Sequence, residues 1–226
     1  MKKFFAISFC LILLPVVSGA LHADSVLNVT ANAISIVEKK QGSVEPIPTE
    51  ALKAAKGVAV LEITKAGLVF GGTGGDGVVV LKQKGLLPWG SQWSAPIPIG
   101  LGGGSFGAQI GFSTTRMIVL LNSDQAVRTF TNPGKLEWNA GASGTAGADT
   151  KTEQVGGLLS DLDVKIYKES GGLYGGATFG GGTIRIQDDR IKKAYGQDIF
   201  VRDIVSGKVK APDYAERLYT LLNGKR

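Results

Sequence analysis

Residues 65–82 read KAGLVFGGTGGDGVVVLK, and after a short connector residues 93–111 read WSAPIPIGLGGGSFGAQIG. Apolar runs flank a glycine cluster in each part, which predicts the order strand, glycine turn, strand, twice over. The chain has 33 glycines in 226 residues, about twice the usual share of roughly 7%. Because these glycines lie between β-rich runs, we expect them to permit positive φ, bulges and close approach of strands.

The same two clusters satisfy the spacing G-x-G-x-x-G at residues 72–77 and 102–107. A dinucleotide site needs a helix directly after the glycines, because the helix N-terminus receives the pyrophosphate. Here the strand-like sequences VVVLK and AQIGF follow instead, and no G-K-[ST] completes a phosphate loop. We therefore expect no nucleotide and no other cofactor.

Helices are predicted at both ends of this β-rich region. Ser25 can cap a helix over residues 26–40, and Ser123 can cap a shorter one. The apolar run at residues 115–121 predicts a strand buried on both faces. Further helices are predicted at residues 49–56, 124–130, 189–195, 199–205 and 212–222. We expect an α+β fold with a Gly-rich antiparallel sheet, strongly curved or closed toward a barrel, and with the N- and C-terminal helices packed on it.

The N-terminus has the pattern of a cleaved secretory signal. Lys2 and Lys3 precede an apolar stretch over residues 4–17, and small residues follow. Cleavage is expected after Ala20 or Ala23, which makes residues 1–23 a signal peptide and residues 24–226 one domain. The predicted location is periplasmic or secreted, including the periphery of a membrane.

Removal of this peptide excludes several kinds of chemistry. Cys10 is lost, and His22, the single histidine, is lost or becomes terminal. The mature chain then offers no thiolate, no Cys/His metal site and no Ser-His-Asp arrangement. Its net charge falls from +6 to +4 because Lys2 and Lys3 leave. That mild excess does not indicate a nucleic-acid partner, and we predict a protein that is not an enzyme and binds no metal.

The first predicted helix carries a broad apolar face formed by Val26, Val29, Ala33 and Val37, with Leu27 and Ile34 beside it. This stripe suits a helix docked on the protein's own sheet or an amphipathic helix that meets a membrane. A connector with Trp89 and Trp93 begins near Lys82 and Lys84, so cations and an aromatic ring could also meet at a bilayer interface. We expect Trp89 to be exposed and Trp93 to be buried.

A hydrolase would have to depend on carboxylates. Asp76 lies in a glycine cluster where Asp commonly serves the backbone, and Asp161 and Asp163 flank a leucine at a predicted strand start. A carboxylate-dependent hydrolase is therefore kept only as a minor alternative. A structural or protein-interaction module of the periplasm is the other alternative.

Five segments together resemble the SYLF domain, a family of lipid-binding proteins whose fungal members also bind actin. They are KAGLVFGGTGGDGVVV, WSAPIPIGLGGGSFGAQIG, TRMIVLLNSDQAV, GLYGGATFGGG and KAYGQDIFVRDIVSGKVKAP. They occur in the family's order and cover nearly the whole expected mature chain. With its signal peptide, the chain is similar to the exported bacterial branch.

The resemblance implies phospholipid binding through an N-terminal amphipathic and basic region. The implied contact residues are Val26, Val29 and Val37 on the helix, and Lys39, Lys40, Lys53, Lys56 and Lys65. An anionic phospholipid or membrane surface is the expected partner, a protein partner is left open, and actin is not expected for an exported member. Each lysine near an anionic surface contributes about 1 kcal/mol, so the attraction should be sensitive to salt.

Overall fold

The computed structural model describes residues 25–83, 93–132, 136–140 and 163–224. Three long strands and six α-helices dominate the described chain. In order they are α1 (Val26–Gln41), α2 (Thr49–Ala54), β1 (Gly57–Leu81), β2 (Ile97–Leu121), α3 (Asp124–Thr131), β3 (Leu136–Ala140), β4 (Val164–Ile186), α4 (Asp188–Tyr195), α5 (Val201–Val205) and α6 (Glu216–Leu222), with a 3-10 turn at Asp213–Ala215.

The four strands form one antiparallel sheet in the order β1-β2-β4-β3. β1 pairs with β2 from Gly57 opposite Leu121 to Val79 opposite Ile97, and β2 pairs along almost all of β4. The predicted α+β class and Gly-rich antiparallel sheet are confirmed. Within the described ranges the strand order has two ends, so the sheet is not closed into a barrel.

β1 doubles back on itself. A straight strand of 25 residues would span about 80 Å, yet the Lys82 N–H donates to the Lys56 carbonyl at 2.8 Å. A Cβ added at Gly77 would overlap the Val60 carbonyl, so the two halves approach along their length. The halves therefore run in opposite directions, and the fold-back falls near the bulge between Leu68 and Phe70.

Burial shows that the two halves of β1 lie side by side in one sheet. Ala59 and Val79 belong to one apolar cluster, whereas Val60 and Val78 belong to the other. Matching residues of the halves thus face the same side, as in neighbouring antiparallel strands. β2 pairs with β1 along nearly its whole length, and β4 pairs with β2 in the same way. All three strands therefore double back together, which gives six antiparallel passes.

The predicted order of strand, reversal and strand holds within β1 and β2, but the glycine clusters do not form the reversals. Residues 72–77 lie inside β1 and residues 102–107 lie inside β2, and the two clusters pair with each other at Gly72 opposite Gly104. Among the described glycines, positive φ occurs at Gly111, Gly196, Gly207 and Gly224. In the first cluster, Gly75 and Gly77 instead permit close approach, because a Cβ would overlap a carbonyl oxygen of the neighbouring half-strand.

Helices cover both faces of the sheet. α3, α4 and α5 pack on one face, where Phe130, Ile191 and Ile204 are buried. α1, α2 and α6 pack on the other face, where Val37, Leu52 and Leu218 are buried. The predicted caps are present: Ser25 accepts from the Asn28 N–H and Ser123 accepts from the Ala126 N–H. Residues 1–24, 84–92 and 141–162 lie outside the described ranges, and so do the predictions that fall on them, including the signal peptide, Lys84, Trp89 and Asp161.

Candidate functional site

The apolar stripe of α1 lies in the core. Val26, Val29 and Val37 are 1%, 5% and 0% exposed. Val29 and Val37 pack in the apolar cluster that α1 shares with the sheet and α6. Of the two roles that suit such a stripe, the structure therefore shows the docked helix. In this arrangement the three valines do not reach the surface, whereas Leu27 on the outer side is 49% exposed.

The lysines at the end of α1 lie against β4. Lys39 forms an ion pair with Glu169 at 2.5 Å, and the Lys40 ammonium lies 5.9 Å from the centre of the Tyr167 ring. Burial raises the pKa of the Tyr167 phenol. Cations in the last turn also suit the negative end of a helix. We call Lys39 and Lys40 the α1 lysine pair.

A second group of lysines surrounds the end of α2. The Lys82 ammonium donates to the carbonyls of Leu52 at 2.9 Å and Lys53 at 2.5 Å, and it lies 5.3 Å from the Trp93 ring centre. Lys53 pairs with Glu50 at 3.1 Å on the same helix. Lys56 lies between the end of α2 and the start of β1. We call Lys53, Lys56 and Lys82 the α2 lysine cluster.

The members of this cluster differ in exposure. The side chains of Lys53 and Lys56 are 60% and 48% exposed. Lys82 is partly buried, and this burial lowers the pKa of its ammonium group. Lys56 pairs with Asp124, at the start of α3, at 2.9 Å. Lys82 thus fixes the end of α2 through its carbonyls, and Lys53 and Lys56 carry the accessible charge.

Lys65 is separate from both groups. It lies within β1 opposite Ser113 and is half-buried. It lies nine positions after Lys56, a distance of about 30 Å along an extended chain. The implied site residues are therefore distributed over three places, and only Lys53 and Lys56 are brought together with Lys82.

Lys82 is predicted from the sequence to lie at the tryptophan loop, whereas the structure places it against α2. Trp93 is buried as predicted, at 1% exposure, and its indole N–H donates to Asn223 at 3.0 Å. Lys82 reaches α2 because the doubling of β1 places residue 82 beside residue 56. The apolar runs at residues 58–61 and 78–81 have a similar composition. Composition does not show that these two runs are neighbours in the sheet.

The candidate carboxylates have structural partners. Asp76 accepts from Arg190 at 2.8 Å, and the Arg190 side chain is only 14% exposed. Asp163 is exposed and accepts from the Asn122 amide at 3.3 Å. No group of His, Cys, Asp and Glu in the described part of the chain could hold a metal ion. The described helices also include none that is both long and apolar enough to cross a membrane.

Comparisons with known proteins agree on one family. A family model described as Ysc84, Las17-binding protein actin regulator, matches residues 102–225. The chain is 33% identical to Protein YSC84 of Saccharomyces cerevisiae over 187 residues, which cover 81% of this chain and 39% of that protein. It is 34% identical to SH3 domain-containing YSC84-like protein 1 of Rattus norvegicus over 190 residues, 83% of this chain and 54% of the relative.

A further similar protein is LAS seventeen-binding protein 3 of Saccharomyces cerevisiae, 30% identical over 190 residues that cover 81% of this chain and 40% of that protein. The chain thus spans about half or less of the length of these relatives. No solved structure matches it significantly.

Proposed function

This chain belongs to the Ysc84 family, described as Las17-binding protein actin regulators, and we propose that it is a non-enzymatic protein that binds anionic phospholipid membranes. The SYLF resemblance drawn from the five motifs is confirmed by this membership. The assignment to an exported bacterial branch stays a prediction, as does the absence of actin binding.

The α2 lysine cluster carries the proposal. Lys82 holds the end of α2 against the sheet. Lys53 and Lys56 project from that fixed support with 60% and 48% of their side chains exposed. Cations held in this way attract anionic headgroups at about 1 kcal/mol each near the surface. The cluster therefore offers a compact basic contact that does not require α1 to move.

Existing ion pairs do not block this contact. Lys53 pairs with Glu50, Lys56 with Asp124 and Lys39 with Glu169, and all six side chains are at least 46% exposed. Exposed ion pairs of this kind contribute about 0–1 kcal/mol to stability. A lipid phosphate can replace the carboxylate at low cost, so Lys39 adds charge to the same attraction.

The valines of α1 have a different role in this proposal. Because Val26, Val29 and Val37 lie in the core, they hold the α1 lysine pair in place and touch lipid only if α1 leaves the domain. We assign the membrane contact to the lysines and keep the valines as a contact that α1 would make after release.

Charge reversal tests the proposal. We expect Lys53→Glu/Lys56→Glu to reduce co-sedimentation with phosphatidylserine-containing vesicles at low salt by about tenfold or more, from the lost attraction and the added repulsion. A matched control is Lys165→Glu/Lys210→Glu, which changes the net charge equally at two exposed positions outside the cluster. Equal loss in both variants, or no loss in either, would refute the assignment to the cluster.

We further propose that the protein acts outside the cytoplasm after cleavage behind Ala20 or Ala23. Expression of the full chain in a Gram-negative host should yield a periplasmic product whose intact mass begins at Leu21 or Asp24. A cytoplasmic product that retains Met1 would argue against this location.

A protein-interaction role is the second candidate, because the family description and the name of one yeast relative, LAS seventeen-binding protein 3, state that those proteins bind Las17. A pull-down from envelope extract that recovers one stoichiometric protein would support it, provided the purified chain does not bind vesicles. Vesicle binding without such a partner favours the lipid role.

A further inference from the structure

Phe200 is an unusual surface residue. It immediately precedes α5, and 39% of its surface is exposed. The Lys192 ammonium lies 5.6 Å from the centre of its ring and the Arg202 guanidinium carbon lies 4.7 Å from it. One exposed apolar ring is thus flanked by two cations, which attract its π-electrons.

Buried residues of α5 and contacts of Asp203 fix the position of this ring. Val201 and Ile204 are buried and attach α5 to the sheet. The Phe200 N–H donates to the Asp203 carboxylate at 3.1 Å, and Lys208 pairs with the same carboxylate at 3.4 Å. The Asp203 carboxylate therefore binds the Phe200 N–H and Lys208. Lys192 and Arg202 contact the Phe200 ring.

The charge around Phe200 is positive. Residues 192–210 carry five cations and two acids, a net charge of +3. The cations are Lys192, Lys193, Arg202, Lys208 and Lys210, and the acids are Asp198 and Asp203. Apart from Lys192 and Asp203, which are partly buried, all of these residues are exposed. An anionic surface complements this charge.

This region borders the α2 lysine cluster. Gln83 follows Lys82 in the chain, and its amide donates to the Ile204 carbonyl at 2.9 Å. Ile204 lies four residues after Phe200, about 6 Å along a helix axis. Val205, the next residue, is also 39% exposed. Lys82 and Gln83, which are consecutive in the chain, therefore connect the α2 lysine cluster to α5.

We infer that Phe200, Lys192 and Arg202 form a second membrane contact, in which the ring enters the boundary between headgroups and acyl chains and the two cations bind lipid phosphates. Amphipathic groups of this composition are favoured at that boundary, because the ring is apolar and the cations stay in the headgroup layer. This inference rests on the proposed function and extends its contact surface from α2 onto α5.

Matched variants of the full chain test the inference on vesicles of phosphatidylserine and phosphatidylcholine. Lys192→Gln/Arg202→Gln removes the cations over the ring, and Lys193→Gln/Lys210→Gln removes the same charge at exposed positions. We expect the first pair to weaken binding by roughly tenfold and the second pair to weaken it much less. Phe200→Ala should also weaken binding, and Phe200→Leu should restore part of it.

The outcomes separate this inference from the proposed function. If wild type binds and depends on Lys53 and Lys56, but Lys192→Gln/Arg202→Gln binds no worse than its control, the second contact is overturned and the function stands. If wild type does not bind anionic vesicles, both fail. If Phe200→Ala does not fold, the comparison of the two glutamine pairs decides, because three of these four positions are exposed and Lys192 is only partly buried.

Discussion

Neighbouring glycines of β1 meet different surroundings, although they belong to one cluster in the sequence. A Cβ added at Gly74 would meet no atom within 4 Å, whereas one added at Gly75 would overlap the Glu62 carbonyl oxygen. Neither residue has a positive φ. Gly75 is therefore required by the doubling of β1, while the fold itself places no such demand on Gly74.

Alanine substitution should separate these two roles. Gly75→Ala is expected to lower the free energy of unfolding by about 1–3 kcal/mol, because backbone must move to admit the methyl group. Gly74→Ala should leave it unchanged or raise it by about 0.4–1 kcal/mol, through the lower entropy of the unfolded chain. Urea unfolding monitored by circular dichroism provides the measurement. Equal effects of the two substitutions would mean that β1 does not double back as described.

Buried tyrosines make stability depend on alkaline pH. Tyr219 is 3% exposed and donates to the Ser94 carbonyl at 2.9 Å, and Tyr195 donates to the Pro96 carbonyl at 2.8 Å. Burial raises the pKa of both phenols, and the hydrogen-bonded Tyr214 adds to the effect at Tyr195. The C-terminal tyrosines thus hold the segment that leads into β2 only while they are protonated.

The direction of this dependence follows from proton binding. Above about pH 10 the unfolded phenols lose protons while the folded ones keep them, so the free energy of unfolding falls by about 1.4 kcal/mol per pH unit for each tyrosine. Below that pH the contribution is constant. Urea unfolding between pH 8 and 11 should show the fall, and Tyr219→Phe should make it shallower. An unchanged slope in that variant would contradict the raised pKa of Tyr219.

At the scale of the element, α1 shows what its sequence could and could not predict. Ser25 and the apolar spacing gave the helix and its start, because capping and periodicity are local properties. The same spacing suits a sheet and a bilayer equally well, so it could not predict which of them the valines face. The distinction depends on the opposing surface, to which distant residues of β1, β2 and α6 contribute.

A pair of aspartate substitutions on α1 tests its docking. Val29→Asp would bury an unpaired charge and should lower the free energy of unfolding by at least about 3 kcal/mol. Leu27→Asp places the same side chain two residues away, at a position that is 49% exposed, and should change it by about 0.5 kcal/mol or less. Thermal unfolding without lipid measures both.

The opposite outcome would assign α1 another role. A Val29→Asp protein that keeps its Tm within a few degrees but no longer binds vesicles would show that α1 leaves the domain to meet lipid. Binding by Lys39→Glu/Lys40→Glu at the wild-type level would then remove the α1 lysine pair from the contact.

The strands illustrate a second limit of prediction. The apolar runs correctly gave extended structure on both sides of each glycine cluster, but glycine marks turns and close strand contacts alike. The sequence pattern therefore predicted turns at the glycine clusters, whereas residues 72–77 continue β1 in the ladder and the fold-back falls a few residues earlier, near the bulge between Leu68 and Phe70. Lys82 was not assigned to α2 for the same reason, since its position depends on where β1 folds back.

At the scale of the molecule, the sheet separates two helical layers, and each layer carries part of the proposed lipid contact. α1 and its lysine pair lie on one face, and α5 with Phe200 lies on the other. The α2 lysine cluster lies where the chain enters and leaves β1, and Gln83 connects it to α5. We therefore expect the membrane to contact this end of the sheet first.

The most direct test of this account is a vesicle titration of the wild-type protein. Phosphatidylcholine vesicles with increasing phosphatidylserine should bind increasing amounts of protein at low salt, and binding should fall sharply when ionic strength screens the exposed lysines. Neutral vesicles should bind little at either salt concentration. Equal binding to neutral and anionic vesicles at low salt, or no binding to either, would contradict a membrane contact made by these lysines.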